Sequence, residues 1–296
     1  MKRIPEIIDT HVHFFDKGDS DFELEWSWLE PGADHPILGN IDPIKSIRFD
    51  LDALDAESRF AGVSGFVHVQ AAIGSKDPVD ETKWLDQMAT ASLAPVQIIG
   101  HVDLATNQAP DQLARHLEAS SRFVGVRDFS VESALSSGDI SAFSEAFGIM
   151  TREELILELD CEYPNMAAAR EMAEENPELT IVLEHIGFPR RRDADYFRNW
   201  SNALTDLSQA SNVLCKISGL GMTDPRFDAH SLAAWINQCL ESFGSDRLLL
   251  GSNWPIDRLY SSYDAIMNIY RDSFSELSAV EQELIFNKTA ARIYRF

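Results

Sequence analysis

Cysteine is scarce in this sequence. The three cysteines, Cys161, Cys215 and Cys239, lie far apart along the 296 residues, and no C-x-x-C spacing occurs. This scarcity excludes a disulfide framework and a thiolate zinc site, because both need paired or clustered cysteines. Reduced thiols and a cytoplasmic location are therefore expected.

Long apolar runs are also missing. No segment approaches the length of a membrane span, and the first residues lack the apolar stretch and the cleavage site of a signal peptide. We therefore expect neither a membrane segment nor a targeting segment.

Basic residues are few relative to acidic ones. The chain has 25 lysines and arginines against 48 aspartates and glutamates, so its formal net charge is −23. Nucleic acids and anionic membrane surfaces bind basic patches, and both are therefore excluded as expected partners. We expect a small-molecule substrate, and association into a homo-oligomer stays open. Arg190–Arg192 form a basic exception, which is either a solvated loop or an anion contact at a pocket rim.

The apolar residues are concentrated in short runs. Near-continuous apolar runs of this length are typical of parallel strands that are buried on both faces. Eight runs predict strands, at Glu6–His13, Val63–Ala71, Gln97–Asp103, Phe123–Phe129, Leu155–Asp160, Thr180–His185, Val213–Ser218 and Arg247–Asn253.

Stretches with helical spacing of apolar residues alternate with these runs. Several of them open with Asp, Ser or Pro, as helices often do. A last helix is predicted after Glu276, with Ser278 as its N-cap. The other predicted helices are Asp80–Ser92, Pro110–Ser121, Ile140–Glu153, Tyr163–Asn176, Asp193–Ala210, Ser231–Phe243 and Tyr260–Ser273.

The alternation of eight strands with eight helices predicts an α/β fold, a (β/α)8 TIM barrel that forms a single domain over residues 1–296. A doubly wound sheet is the alternative. That fold would need a glycine-rich turn after the first strand, whereas this strand ends in the sequence HVHFF. Residues 16–50 are long for a first connection, and we expect them to form an ordered loop over the barrel mouth.

His11 and His13 close the first predicted strand. Side chains two apart on a strand share a face, so both imidazoles can point at one atom. Imidazole is the commonest protein metal ligand and titrates near neutrality, which suggests catalysis or metal binding. A chance pair of structural histidines is the alternative interpretation.

Other polar residues also occur where predicted strands end. In a barrel, the carboxyl ends of the strands converge on the active-site face, so residues scattered along the chain would surround one pocket. After the first strand, these residues are His68 and Gln70, Asp103, Arg127 and Asp128, Asp160 and Glu162, His185, Ser218 and Asn253. Their repeated placement favours a functional role for the histidine pair.

Six segments, in order along the chain, resemble the amidohydrolase superfamily. They are IDTHVHFF (8–15), HVQA (68–71), GVR (125–127), LEHIGFP (183–189), KISGL (216–220) and GSNWP (251–255). The likeness is to the amidohydrolase-2 branch, which includes sugar-lactone hydrolases, pyrone-dicarboxylate lactonases and some nonoxidative decarboxylases. The lactonases are the most similar group, through Gln70, Arg127 and the KISGL segment. The resemblance implies an enzyme that opens the lactone of a small sugar acid or a related carboxylated substrate.

Arg127 marks a departure from the binuclear members of that superfamily. Those members have a carboxylated lysine or a glutamate on strand four, and a guanidinium there would repel a second metal ion. One divalent ion, most simply zinc, could be held by His11, His13 and His185 with an open position for water. The resembling lactonases often work without metal, so a cofactor-free site is the alternative.

Asn253 is the second departure, because the family normally has an aspartate there that activates water. An amide cannot accept that proton, so Asn253 can only orient water or substrate. The base is then Asp257, Asp160 or His185, unless the reaction needs no such base or the barrel only binds its ligand.

The resemblance and the strand positions together predict two groups of site residues. His68 could equally be a core histidine, Arg127 could pair with a rim aspartate, and Trp254 could be packing. The predicted catalytic group is His11, His13, His185, Asn253 and Asp257, and the predicted substrate-binding group is His68, Gln70, Arg127 and Trp254. The remaining histidines, His35, His101, His116 and His230, are expected to be structural.

The resemblance implies two enzymatic functions, and the missing aspartate leaves a third, non-catalytic one open. The first is hydrolysis of a lactone by activated water. The second is metal-dependent nonoxidative decarboxylation of an aromatic or enoic acid. The third is sugar-acid binding without catalysis.

Overall fold

The computed structural model of this protein describes residues 6–19, 21–34, 37–46, 48–92 and 94–296. Within these ranges, each of the eight predicted strand runs overlaps a strand. The strands are Ile7–Val12 (β1), Phe15–Asp16 (β2), Arg48–Phe49 (β3), Val63–Val69 (β4), Val96–Gly100 (β5), Phe123–Arg127 (β6), Ile156–Leu159 (β7), Ile181–Leu183 (β8), Val213–Ile217 (β9) and Leu248–Leu250 (β10).

Helices follow most of the strands. They are Leu51–Ser58 (α1), Val79–Ser92 (α2), Ala109–Ala119 (α3), Ser130–Ser137 (α4), Ser144–Arg152 (α5), Met166–Glu175 (α6), Ala194–Leu207 (α7), Leu220–Thr223 (α8), Ala229–Phe243 (α9), Tyr263–Ser273 (α10), Ala279–Glu283 (α11) and Thr289–Tyr294 (α12). No helix in the described ranges has the length and apolar character that crossing a bilayer requires.

The strands form a parallel barrel. Eight of them are hydrogen-bonded in the order β1-β4-β5-β6-β7-β8-β9-β10. The cylinder closes where the His13 amide donates to the Trp254 carbonyl (2.8 Å) and the Asn253 amide donates to the His11 carbonyl (2.8 Å). The predicted (β/α)8 barrel is therefore confirmed, and the doubly wound alternative is excluded because the last strand returns to the first.

Local signals explain which helices the sequence predicts. Ser278 caps α11 in a capping box with Glu281, as expected. Helix α4 was not predicted, because its sequence SVESALSS is rich in serine and has low helix propensity. Burial of Val131 and Leu135 against the barrel stabilises it instead. The predicted helix Ile140–Glu153 begins with a 3-10 turn and becomes α-helical only from Ser144.

Two apolar layers surround the strands. The outer layer packs the strands against the helices, and all three free cysteines are buried there. The inner layer fills the barrel and is closed from below by Tyr294 of α12. Among the interior side chains are Ile8, Val67, Val69, Ile99, Val124, Ile156, Val182, Leu214 and Leu249.

A buried ion pair lies in the barrel above this apolar filling. The Lys216 ammonium donates to Glu158 Oε1 (2.7 Å) and to the Thr10 carbonyl (2.8 Å), and Tyr294 Oη also donates to Glu158 Oε1 (2.5 Å). Both charged side chains are fully buried. The apolar filling and this pair occupy the barrel interior, and the cavity described below opens at its carboxyl end.

Described parts of the segment 16–50 lie at that open end. Strands β2 and β3 pair antiparallel at its two ends. Trp28 Nε1 donates to the Ala71 carbonyl (2.8 Å), which ties the segment to the end of β4. His35 lies outside the described residues. Trp28 and Ile37 reach the cavity described below.

Candidate active site

A cavity of about 730 Å³, mouth included, opens at the carboxyl ends of the strands. Its size suits a small-molecule ligand. Five of the predicted site residues line it, and they come from five different strand ends: His13, Gln70, Arg127, His185 and Asn253. The other lining residues are Trp28, Ile37, Ala71, Ile73, Phe129, Asp160, Glu184, Phe188, Arg190, Met222 and Ile256.

The histidine pair lies at the base of this cavity. The Nε2 atoms of His11 and His13 are 3.1 Å apart. His13 Nδ1 donates to the Val69 carbonyl (2.8 Å), so the Nε2 atom of a neutral His13 carries the lone pair. Burial lowers the pKa of both imidazoles well below the ordinary value, and the Arg127 guanidinium acts in the same direction. Both rings are therefore neutral near pH 7.

With both rings neutral, one nitrogen of His11 lacks a suitable partner. Its Nδ1 atom is buried without a hydrogen-bond partner and lies 3.7 Å from Glu184 Oε1. If His11 carries its proton on Nε2, the Nδ1 lone pair faces a carboxylate. If the proton is on Nδ1, the lone pairs of His11 and His13 face each other at 3.1 Å. Either tautomer places two acceptors face to face, an arrangement that a cation between them would relieve.

Glu184 is the central site residue that sequence reasoning missed. It is almost fully buried, and its Oε2 accepts a hydrogen bond from Arg127 (3.2 Å), which also donates to the Gln70 carbonyl (2.7 Å). The charge of Arg127 lowers the pKa of Glu184 against the effect of burial, which is the largest single influence and raises it. A signal was present in the sequence, since a charged residue directly follows the buried strand β8 and must find a partner there.

The donor atoms that lie close enough for one metal ion differ from the predicted set. His11, Glu184 and His185 each offer a ligand atom within 4.8 Å of the others. His13 is outside this set, so Glu184 replaces it as the third donor. Neutral imidazoles and a carboxylate are donors that zinc and similar divalent ions accept. Together with the unpartnered His11 Nδ1, this donor set fits a single divalent ion.

His185 follows β8 in a left-handed backbone conformation, with φ of +52°. Its Nδ1 is hydrogen-bonded to Ser218 Oγ (2.8 Å) at the end of the adjacent strand. Gly219 makes this packing possible, because a Cβ atom there would lie 2.5 Å from His185 Nδ1. Burial lowers the pKa of His185 to about 4, so this imidazole is also neutral near pH 7.

Asp257 does not line the cavity. It lies behind Asn253, whose Nδ2 donates to Asp257 Oδ1 (3.2 Å), and its other oxygen accepts from the Gly221 amide (3.4 Å). Burial raises the pKa of Asp257 to about 7. The structure therefore does not bring Asp257 to the cavity, since Asn253 separates its carboxyl group from the ligand space, and its catalytic role stays a prediction.

Replacing Asn253 with aspartate is expected to place two carboxyl groups in contact. Both cannot ionise at this distance, so the pair retains a proton near neutral pH. Asp257 of the parent already has a pKa of about 7, above its unfolded value, and the second carboxyl raises it further, so the variant loses more stability than the parent as pH rises. We expect this additional loss to be about 1–2 kcal/mol between pH 5 and pH 8, from a further shift of about two pKa units.

Urea unfolding at pH 5 and pH 8 measures this difference. The matched control is Asn253→Asp combined with Asp257→Asn, which reverses the two groups and keeps a single carboxyl. If the single and the double variant lost the same stability between pH 5 and pH 8, the two side chains would not be in contact.

Two predicted substrate contacts lie outside the cavity. His68 points to helix α2, because Val67 and Val69 occupy the barrel interior and strand side chains alternate. Its Nδ1 accepts from the Phe14 amide (3.1 Å) and its Nε2 donates to Glu81 Oε1 (3.1 Å). His68 is therefore a core histidine, the alternative that the sequence left open.

Trp254 is the second predicted substrate contact that lies outside the cavity. It is almost fully buried, packs edge-to-face on Tyr263 and donates from Nε1 to Glu57 Oε2 (2.9 Å). The indole NH already has an acceptor, and the ring faces the helix layer. Its assignment as a substrate contact is corrected for this reason.

Asp160 lies on the cavity wall, two residues after Glu158 on the same strand end. No hydrogen bond or ion pair within the described part of the chain reaches its carboxyl group. Burial raises the pKa of Asp160 to about 7, with the negative charges of Glu184 and Glu132 as further causes. The sequence left Asp257, Asp160 and His185 open as the base. Of these three, Asp160 is the one that both lies on the cavity wall and has a pKa near 7.

Comparison with known proteins gives matches along nearly the whole chain. The amidohydrolase family (Amidohydro_2) matches residues 8–296. The uncharacterized protein y4mH of Sinorhizobium fredii is 30% identical over 298 residues, which are 98% of this chain and 98% of that protein. L-fucono-1,5-lactonase of Burkholderia multivorans is 26% identical over 305 residues, covering 97% of this chain and 95% of that enzyme. These matches extend over nearly the whole chain and are not confined to isolated motifs.

Solved structures match over the same extent. An amidohydrolase from Burkholderia multivorans, crystallised with bound zinc, has a TM-score of 0.82 at 24% identity and covers 98% of this chain and 99% of its own. At this level of identity, the match establishes a shared fold.

Proposed function

Because this chain belongs to the amidohydrolase family, we propose that it is a hydrolase that opens the lactone ring of a small sugar acid. The observation that carries this proposal is the cavity wall, on which a guanidinium, neutral imidazoles and an unpaired carboxyl group meet. Attack of water on an ester needs electrophilic groups for the carbonyl and a base for the water, and both kinds are present. The relatives named L-fucono-1,5-lactonase support the same substrate class.

The charges of the wall favour a substrate without a carboxylate. Arg127 is paired with Glu184, and Arg190 Nε donates to Glu162 Oε1 (2.9 Å). Both guanidinium groups that face the cavity are thus neutralised by protein carboxylates. A substrate carboxylate would have to compete for them, so of the two substrate types that the resemblance implies we favour the neutral, hydroxyl-rich lactone of a sugar acid.

Asn253 and Gln70 offer hydrogen bonds to hydroxyl groups of such a ring. The apolar side chains of Trp28, Phe129 and Phe188 offer a surface for the less polar face of the ring. This combination of amide and aromatic groups is suited to a sugar lactone.

In this proposal, Arg127 stabilises the oxyanion that forms when water attacks the carbonyl carbon. Its guanidinium lines the cavity, which supports this role. Glu184 and the Gln70 carbonyl hold the guanidinium in place, so little reorganisation is needed during the reaction. His11, Glu184 and His185 would hold a divalent ion, which would supply Lewis-acid chemistry to this site when bound.

A lactone panel tests the proposal. The purified protein is assayed with a pH indicator on L-fucono-1,5-lactone, D-glucono-1,5-lactone and 2-pyrone-4,6-dicarboxylate, with added zinc and after chelation. We expect kcat/KM on a neutral lactone to exceed that on the dicarboxylate by about 100-fold, since an unpaired buried charge is strongly disfavoured. No ring opening above the spontaneous rate on any member would contradict the proposal.

Metal-dependent nonoxidative decarboxylation is the second candidate. The His11, Glu184 and His185 donor set favours it, because such a set can hold the ion that this chemistry uses. Stoichiometric zinc or manganese in the protein, with carbon dioxide released from an aromatic acid and no lactone opened, would establish it. Ligand binding without either reaction would indicate a sugar-acid-binding protein instead.

A further inference from the structure

We propose that Asp160 is the catalytic residue that takes the proton from the attacking water, the task that the amide of Asn253 cannot perform. The inference rests on the proposed lactone hydrolysis and assigns its general base to strand β7. It follows from the positions of the carboxyl groups and imidazoles around the cavity.

Glu184 and Asp160 line the cavity and Asp257 lies behind Asn253, and two of these three carboxyl groups are unsuited to the task. Glu184 is held by Arg127 at 3.2 Å, so its basicity is reduced. Asp257 is separated from the ligand space by Asn253. Asp160 lies on the wall, and no described residue donates a hydrogen bond to it.

The position of Asp160 follows from the alternation of side chains along β7. Glu158 faces the barrel interior, where it accepts from Lys216 (2.7 Å). A residue two positions later points to the same side, so Asp160 points inward at the carboxyl end of the strand. The strand thus places one carboxyl group in the buried ion pair and the next in the cavity.

The imidazoles on the wall are weaker candidates. His13 donates from Nδ1 to the Val69 carbonyl, and His185 Nδ1 is hydrogen-bonded to Ser218. Burial lowers the pKa of both, so each binds a proton poorly at neutral pH. A base of low pKa provides little driving force for removing a proton from water.

The charges around Asp160 suit a base that works near pH 7. Burial is the largest influence and raises its pKa, and the carboxylates of Glu184 and Glu132 act in the same direction. The guanidinium groups of Arg127 and Arg190 lower the pKa. The resulting value of about 7 lies in the range where a general base is most effective.

The reaction balances with this single base. The Asp160 carboxylate takes one proton from water while the water oxygen bonds to the lactone carbonyl carbon, which gives a tetrahedral oxyanion. The oxyanion collapses and breaks the bond between that carbon and the ring oxygen. Protonated Asp160 returns its proton to the ring oxygen, and the product is a hydroxy acid that loses its carboxyl proton to solvent.

Asp160→Asn is the direct test, with L-fucono-1,5-lactone as the probe, or D-glucono-1,5-lactone if only that lactone is opened. We expect kcat to fall by about 100-fold or more with little change in KM, because the amide keeps the shape but cannot accept the proton. Asp160→Glu is expected to retain part of the activity. Parent kcat/KM should rise with pH through about 7, and this rise should be absent in Asp160→Asn.

Glu132→Gln separates a catalytic role from a structural one. Glu132 does not line the cavity, but its charge raises the pKa of Asp160. Removing that charge should shift the rise in kcat/KM to lower pH while kcat is largely preserved. Circular dichroism and thermal melting at pH 8 serve as the folding control, and Asp160→Asn should melt at or above the parent temperature because it lacks an unpaired, partly buried charge.

Each outcome of this experiment decides the inference. Parent-like kcat and an unchanged pH profile in Asp160→Asn would overturn it while leaving the lactonase proposal intact. A 100-fold loss in Asp257→Asn, with Asp160→Asn unaffected, would assign the base to Asp257. A parent protein that opens neither lactone would overturn the lactonase proposal, and the inference with it.

Discussion

Replacement of Lys216 with methionine is expected to destabilise the protein by about 3–5 kcal/mol, because it leaves a buried carboxylate without its partner. Lys216 and Glu158 are both fully buried, and the ammonium lies 2.7 Å from Glu158 Oε1. Methionine fills a similar volume, so the loss reflects charge rather than a cavity. The second Glu158 oxygen already lacks a hydrogen-bond partner, so few groups remain to compensate.

A double variant provides the control for this prediction. Lys216→Met with Glu158→Gln removes both charges, and we expect it to recover about half or more of the lost stability. Burial already raises the pKa of Glu158 to about 6, and loss of Lys216 raises it further. The folded-state pKa then lies above the unfolded value, so the destabilisation should be smaller at pH 5 than at pH 8. If the double variant lost the sum of the stabilities lost by the two single variants, Lys216 and Glu158 would not be directly paired.

Replacement of Arg127 with methionine is expected to reduce both stability and catalysis. Without the guanidinium, the Glu184 carboxylate would stay charged although the residue is only 1% exposed. We expect this unpaired buried charge to cost about 3–5 kcal/mol of stability. The cavity would also lose a donor for the developing oxyanion, which corresponds to about 100- to 1,000-fold in kcat. Urea unfolding and lactone kinetics measure the two effects on the same preparation.

Two further variants separate these effects. Arg127→Met with Glu184→Gln should recover stability but not kcat, because the buried charge is gone and the donor is still missing. Arg127→Lys should recover neither fully, since one ammonium cannot reproduce the planar donor set that joins Glu184 to the Gln70 carbonyl. Full kcat in either variant would show that Arg127 does not contact the reacting carbonyl.

The barrel was predictable because burial on both faces leaves a strong pattern in the strands. The run Val213–Ser218 is mostly apolar, with Lys216 as its one charged residue, and the strand occupies all but the last residue. Helices with caps and apolar spacing were equally clear, as Ser278 illustrates. Helix α4 was not, because packing on the barrel stabilises a serine-rich sequence that has low helix propensity.

The structure brings five of the predicted site residues to the cavity and directs others away from it. His68 ends a strand next to Gln70, yet alternation directs it into the helix layer, where it pairs with Glu81. The sequence predicted Asp257 as a catalytic residue, but the turn after β10 directs its side chain behind Asn253. A strand-end position determines which face of the barrel a residue is near, whereas side-chain direction depends on backbone turns such as the left-handed conformation of Asn253.

The sequence by itself determined the barrel, the family and the strand ends where function lies, because these depend on local patterns of burial and on short motifs. Only the tertiary structure decided which charges neutralise one another. Glu184 and Arg127 are 57 residues apart in the chain, and Lys216 and Glu158 are 58 apart. Their pairing, and the absence of a described partner for Asp160, arise from barrel closure, which brings these strand ends into contact at hydrogen-bond distances.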